Sequence, residues 1–355
     1  MLPSRLTLKT QRSTLKRACS LLLLAQLMLA PTMHGQDAPS PATRLHIGNV
    51  GSALDASNVQ PWYLKMTVQL YDETGKPREQ GTVEEWWAGA GKDKRVYTMP
   101  SYTATVVRKD GKTFRTRGAS YPPALADLLL DEVTHPLPDD SDVENAQLEM
   151  KKIGFGKVPL ECIMLAQPIK GLKKIPMGLF PTYCFDPGKS VLRVSFNYGT
   201  QYVVRNSMAM FQDRTVPWDI AVRTANVTTA TGHVETLTGQ AVTDADLATD
   251  ELVGIGDSAP VKVSSGAVAG MALNQPAPIY PQSAKENHVS GVVVLHALIG
   301  TDGHIHRLTV LSSPDPDLAI AALAAVRQWV YKPYQLFGAP TEVETTINVN
   351  FTFGR

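Results

Sequence analysis

Four histidines fall in the last quarter of the chain. His304 and His306 stand two apart, the spacing that lets two imidazoles project from one side of a strand toward a divalent ion. His296 and His288 are the nearest further donors, and no cysteine or carboxylate is obviously placed to complete the set, so a solvated strand beside a turn is the expected reading. Asp139, Asp140 and Asp142 could offer oxygen ligands, but the glycine and glutamate positions of an EF-hand loop are missing. There is no Gly-x-Ser-x-Gly turn, phosphate-binding Gly-rich loop or dinucleotide fingerprint. No catalytic residue, metal or cofactor is assigned, and a non-enzymatic role is expected. The pair Trp86-Trp87 suits a strand with one indole buried and the other at a rim.

Cysteine chemistry depends on where the chain resides. Residues 1–35 carry Arg5, Lys9, Arg12, Lys16 and Arg17 without an acid, then the apolar run Ala18 to Ala30. That run suits the core of a signal peptide and falls short of the ~20 residues a helix needs to cross a bilayer. A cleaved export signal over 1–35 is expected, with an uncleaved inner-membrane anchor as the alternative. Cys19 precedes the run, so it is not the lipidated cysteine of a lipoprotein signal. Export leaves Cys162 and Cys184 as an even pair and favours a disulfide, which would close a loop worth about 3 kcal/mol by chain entropy.

The formal charge of +1 over 355 residues conceals an acidic mature chain, because residues 36–355 hold 29 bases against 33 acids. With no basic stripe, nucleic acid is not an expected partner. Hydrophobic and charged shares of 43% and 19% describe a folded protein, and the length fits two domains with appendages.

The elements that position these residues change character along the chain. From about 46 to 245, short apolar runs alternate with turns: Trp62 to Tyr71, Thr82 to Trp87, and Thr105 to Arg108 separated from Thr113 to Thr116 by Asp110-Gly111, a hairpin signal. One helix is expected after Pro122-Pro123, with Leu125, Leu128 and Leu129 on one face. Pro159 to Leu165 and Thr182 to Asp186 read as strands that place Cys162 and Cys184 within reach of a cross-strand bridge. Residues 246–274 lose their aromatics, turn rich in Gly, Ala, Ser and Val, and read as a flexible linker. From 275 to 355 the order is a short helix after Pro281, a hairpin about Asp302-Gly303, an Ala-rich helix from Asp317 to Trp329, and a last strand. In that strand Ile347, Val349, Phe351 and Phe353 face one way and Thr346, Asn348, Asn350 and Thr352 the other. The fold class is α+β: a large antiparallel sheet domain followed by a small α+β domain.

Two resemblances follow from these residues. Ile279-Tyr280-Pro281, Gly291 to Leu295, Asp302-Gly303, Ser312-Ser313, Trp329 to Pro333 and the strand Thr345 to Phe353 together resemble the C-terminal domain of the TonB family, over about 275–353. The resemblance implies a module that binds other envelope proteins by adding their extended segment to a sheet edge, with Thr346, Asn348, Asn350 and Thr352 on the receiving strand. The opening Trp62 strand, Thr82 to Trp87, the Asp110-Gly111 hairpin and the passage from Tyr183-Cys184-Phe185-Asp186 to Leu192-Arg193 resemble the LolA/LppX-like half-barrel. That implies a sheet holding a lipid or other apolar ligand; a fully packed sheet is the other reading. Together they describe an exported periplasmic binding or adaptor protein whose partner is an envelope protein or outer-membrane transporter segment. The alternative is a divergent, membrane-anchored TonB energy transducer for outer-membrane transport. Against it, the apolar run lacks the Ser/His pairing of a TonB anchor, and a β-rich domain replaces the Pro-rich spacer.

Overall fold

The structure is a computed structural model that describes residues 39–352 except 73, 120–121, 173–177, 199–200, 256–259 and 337–338. The expected signal segment lies outside the described residues, as does Phe353.

The chain opens on helix α1 (Pro41–Val50), which the sequence reading does not place. Ser40 caps it by accepting the Thr43 N–H at 3.1 Å, and Pro41 occupies the first turn, where no N–H is needed. The strands that follow are β1 (Trp62–Tyr71), β2 (Pro77–Gly89), β3 (Lys92–Met99), β4 (Tyr102–Lys109) and β5 (Lys112–Thr116). Asp110 and Gly111 both take positive φ in the β4–β5 turn, the conformation an Asp-Gly hairpin favours. Helices α2 (Ala124–Thr134) and α3 (Asp140–Glu144) lead to β6 (Gln147–Phe155), β7 (Val158–Ala166), β8 (Thr182–Phe185), β9 (Leu192–Tyr198), β10 (Gln201–Phe211), β11 (Arg214–Thr224) and β12 (Val227–Gly239). Residues 246–274 contribute β13 (Leu252–Ile255), β14 (Val261–Lys262), α4 (Ser265–Ala269) and β15 (Ala272–Asn274).

Thirteen strands form one antiparallel sheet in the order β13-β5-β4-β3-β2-β1-β12-β11-β10-β9-β8-β7-β6. The chain winds outward from β1 to β5, crosses to the far edge at β6, and returns strand by strand until β12 closes against β1. Alternation in β1 buries Trp62, Leu64, Met66, Val68 and Leu70 on one face. Helix α2 covers that face, with Ala126, Leu129, Leu130 and Val133 buried in the same core. Polar contacts fix its two sides. Arg95 reaches Asp127 at 3.1 Å and Asp131 at 3.0 Å, and the Tyr97 hydroxyl donates to Asp127 at 2.5 Å. On the other side the buried Arg205 of β10 pairs with Glu132, and Ser195 donates to the same carboxylate at 3.2 Å. Burial works against the Arg205 charge and lowers its pKa, which Glu132 opposes.

Cys162 of β7 and Cys184 of β8 are directly opposite and form a disulfide. Helix α1 packs its Leu45 against Ile163, Phe185 and Leu192, while its buried Arg44 pairs with Glu161 and donates to the carbonyls of Asp186 and Lys189.

The C-terminal elements are α5 (Gln282–Glu286), β16 (Gly291–Ile299), β17 (Ile305–Ser312), α6 (Pro316–Val326), β18 (Val330–Tyr331), β19 (Gln335–Leu336), β20 (Ala339–Pro340) and β21 (Val343–Phe351). Helix, hairpin, helix and strand thus occur in the expected order, giving a small α+β module. Its four-stranded sheet runs β14-β21-β16-β17. The module shares a core with the large sheet: Met164, Ala166, Ile169, Leu179 and Phe180 are buried together with Val293, Leu295, Leu318 and Leu323. This contact buries Met164 and Ala166 of β7, while Ile163 and Leu165 on its other face pack with Leu45 of α1. At the seam the Ser313 N–H donates to the Lys170 carbonyl at 3.1 Å. A Cβ on Gly171 would lie 2.5 Å from the Ser313 carbonyl, so only glycine fits there.

Candidate functional site

The module is built to present β21. Asp315 caps α6, its carboxylate accepting the Asp317 N–H at 2.8 Å and the Leu318 N–H at 3.3 Å. Leu318, Ala319, Ala322, Leu323, Ala325 and Val326 are buried, and the small alanines let the helix lie close to the sheet. Under it, β21 alternates without a fault: Val343, Thr345, Ile347, Val349 and Phe351 are buried, while Thr346, Asn348 and Asn350 are exposed. Thr345 is the polar member of the buried row, and its hydroxyl has no hydrogen-bond partner.

The hydrogen-bonding sides of β21 are equally unlike. Along one side it pairs antiparallel with β16 from Val343 to Phe351. On the other, β14 pairs in parallel with Val343 and Glu344 alone, with Val261 and Val263 donating to the carbonyls of Glu342 and Glu344 at 2.9 Å. Because backbone groups point to alternate sides of a strand, the even residues turn their N–H and C=O outward. Among the described residues no strand pairs with that side of Thr346, Asn348 and Asn350. The sequence-predicted residues therefore line one unpaired edge, with Thr352 exposed just beyond the strand end.

Next to this edge lies a cavity of about 300 Å³, lined by Ser265, Gly266 and Ala269 of α4, by Trp329 and Tyr331, and by Thr346 to Asn348. Its walls carry no charged side chain. Trp329 is held by a 3.0 Å bond from Nε1 to the Pro276 carbonyl and meets Tyr331 edge-on at 6.5 Å. Burial raises the Tyr331 pKa, which keeps its hydroxyl neutral. Sequence reasoning missed the α4 wall, because Ser265–Ala269 is too short and too Gly/Ala-rich to announce a helix. Trp329 carried the one signal, a large aromatic at the end of the Ala-rich helix.

The histidines do different work. Asp302 contacts both His306 Nε2 at 3.2 Å and His304 Nδ1 at 3.3 Å, and the hydrogen bond to Asp302 raises the His306 pKa. Among the described residues no group of three His, Cys, Asp or Glu is placed to hold a metal. Gly303 closes this turn with φ +81, and a Cβ there would sit 1.8 Å from the Tyr331 carbonyl, so the turn and β18 fit together only through glycine.

Residues 276–353 match the family described as Gram-negative bacterial TonB protein C-terminal. The match covers the module alone and agrees with the resemblance carried by its motifs. Among solved structures this chain is similar to a LolA superfamily protein from Nitrosomonas europaea, with 8% identity and a TM-score of 0.41, covering 60% of this chain and 99% of that one. It is also similar to a DUF1329 family protein from Desulfovibrio piger, with 9% identity and a TM-score of 0.35, covering 59% and 94%. Comparison with curated proteins gives no match. No described helix is long and apolar enough to cross a membrane.

Proposed function

We propose that this is an exported, periplasmic adaptor whose C-terminal module receives an extended segment of another envelope protein along β21. The observation that carries the reading is the unpaired edge at Thr346, Asn348 and Asn350, beside an uncharged cavity floored by Trp329. An added strand would satisfy the outward N–H and C=O groups, and its alternate side chains would enter the cavity or face solvent. The TonB C-terminal match supports an envelope partner, and the disulfide is consistent with an oxidising compartment. The large sheet serves as the body on which the module is seated. A lipid-like ligand on the apolar part of its covered face would have to displace α2, whose Ala126, Leu129, Leu130 and Val133 fill that part.

The test is a photo-crosslinker at residue 352, exposed just beyond the strand end, in the native envelope, followed by hydrogen exchange of the purified adduct. Slowed exchange at the amides of Thr346, Asn348 and Asn350, with adducts lost in Asn348→Pro, is the expected result, since proline removes an outward N–H at a tolerated edge position. Adducts that form equally well in Asn348→Pro, with unchanged exchange at those amides, would discard strand addition. Sequencing the N-terminus of the mature protein separates the exported adaptor, beginning near Gln36, from an anchored protein.

A further inference from the structure

A second cavity, of about 490 Å³, lies on the covered face of the large sheet, between strands β2 to β4 and the C-terminal end of α2. Two rows of directly opposed residues supply its sheet wall, through Trp62, Trp87, Asp93, Arg108, Glu85 and Arg95. Trp62, Trp87, Asp93 and Arg108 form one row across β1 to β4, and Leu64, Glu85, Arg95 and Val106 form the next. Asp131, Thr134 and His135 come from the end of α2, and Asp55 from the loop before β1.

The charges do not balance. Arg95 is shared among Glu85, Asp127 and Asp131, Arg108 pairs with Asp93 at 2.8 Å, and His135 lies between Asp55 and Asp139. Of these, Asp55, Glu85, Asp93 and Asp131 line the cavity with Arg95, Arg108 and His135, four carboxylates against two guanidiniums and one imidazole. The negative end of the α2 dipole points to the same place. Two of the carboxylates are also incompletely bonded: Glu85 is 2% exposed and Asp93 3%, and Glu85 Oε2 and Asp93 Oδ2 have no hydrogen-bond partner. A buried acceptor without a donor is costly, so a donor supplied here would be held firmly. Burial pushes Glu85 up to about 7 and Asp131 up to about 6, with Asp93 and Asp127 adding to the rise and Arg95 opposing it.

We infer that this cavity binds a small organic cation, an ammonium or guanidinium compound, whose N–H groups reach Glu85, Asp93 and Asp131 while its carbon skeleton lies against Trp87 and Trp62. The excess of carboxylates disfavours an anion, and the ionic wall disfavours an acyl chain. A bare metal ion would need three ligands converging, whereas these acids are spread over β2, β3 and α2 and no described trio converges. The indoles stack at 5.9 Å in the same row as Asp93, and such rings suit the hydrocarbon and the charge of an organic cation together.

Titration calorimetry of the full chain with 1,4-diaminobutane, magnesium chloride and glucose tests this. Saturable binding of the diamine, weakened at least about tenfold in both Glu85→Gln and Asp93→Asn, is expected, with neither magnesium nor glucose competing. Ala90→Trp, at the exposed rim, leaves every ion pair intact and is expected to weaken the diamine in a protein folded like the wild type. Failure of the diamine to bind, tighter binding of glucose or magnesium, or diamine binding unchanged in all three variants would overturn the inference.

Discussion

The two sheets of this protein are closed by different forces. Over the large sheet, α2 combines an apolar stripe with a buried ionic frame: Arg95 and Tyr97 hold one side, Arg205 and Ser195 the other. Over the small sheet, α6 is held by Leu, Ala and Val, with Asp315 only capping its start. Ionic closure is directional and sensitive to charge, so the ligand proposed beneath α2 would be chosen by charge. Apolar closure leaves the strand edge as a polar feature of the small sheet, so the partner proposed there would be chosen by extended backbone. The two proposals thus assign two kinds of recognition to separate places.

That contrast can be broken at its ionic end. Arg205→Ala strands Glu132 in a buried site and is expected to lower stability by about 3–5 kcal/mol in urea titration, with the double change Arg205→Met, Glu132→Leu recovering most of the loss. A single variant as stable as the wild type would show that the frame does not hold α2. At the apolar end, Leu323→Ala is expected to cost about 2–5 kcal/mol by cavity formation. Because Leu323 shares a core with Phe180 and Ile169 of the large domain, calorimetry should record one transition shifting as a whole. Two separated transitions would mean that the modules are energetically independent. In the opposite direction, Thr345→Val removes a buried hydroxyl that has no partner and is expected to raise stability by about 1 kcal/mol without changing shape.

The pH dependence sharpens the comparison further. Glu85 and Asp131 are raised in the folded state, so between their ordinary values and about 7 the native chain binds more protons than the unfolded one. Their contribution is complete below 4.5 for Glu85 and below 3.8 for Asp131, and is lost as pH rises toward 7 and 6 respectively. Stability is therefore expected to fall over that interval, and Glu85→Gln should flatten the slope. His306, raised by Asp302, acts in the same direction from 6.5 upward. A slope unchanged by Glu85→Gln would place the titrating groups elsewhere.

The small module was legible because its signals are local. The alternation from Val343 to Phe351, the Asp302-Gly303 turn and the capped, Ala-rich α6 each lie within a dozen residues. The Asp110-Gly111 hairpin and the strand character of the large domain were legible for the same reason. What stayed hidden was assembled from distant pieces. Glu85, Asp93 and Arg95 are gathered only by the cross-strand register of β2 and β3, and Asp131 joins them only where α2 crosses the sheet. Helix α1 escaped because its buried side presents Arg44, whose partners Glu161, Asp186 and Lys189 lie more than a hundred residues away. The strands within 246–274 are two to four residues long and are defined by what they pair with, β5, β21 and β18.

The closing of β12 against β1 governs how this protein comes to exist in time. Trp62 sits opposite Gly239, so the centre of the large sheet forms between its first strand and its twelfth, with β13 alone still to follow. Until then β1 carries an open row of amides and carbonyls, and the loop to be closed is most of the domain. Contacts so distant in sequence place folding in the millisecond-to-second range or slower. For that interval the strand bearing Trp62, Leu64 and Met66 is the segment most open to pairing with the wrong chain.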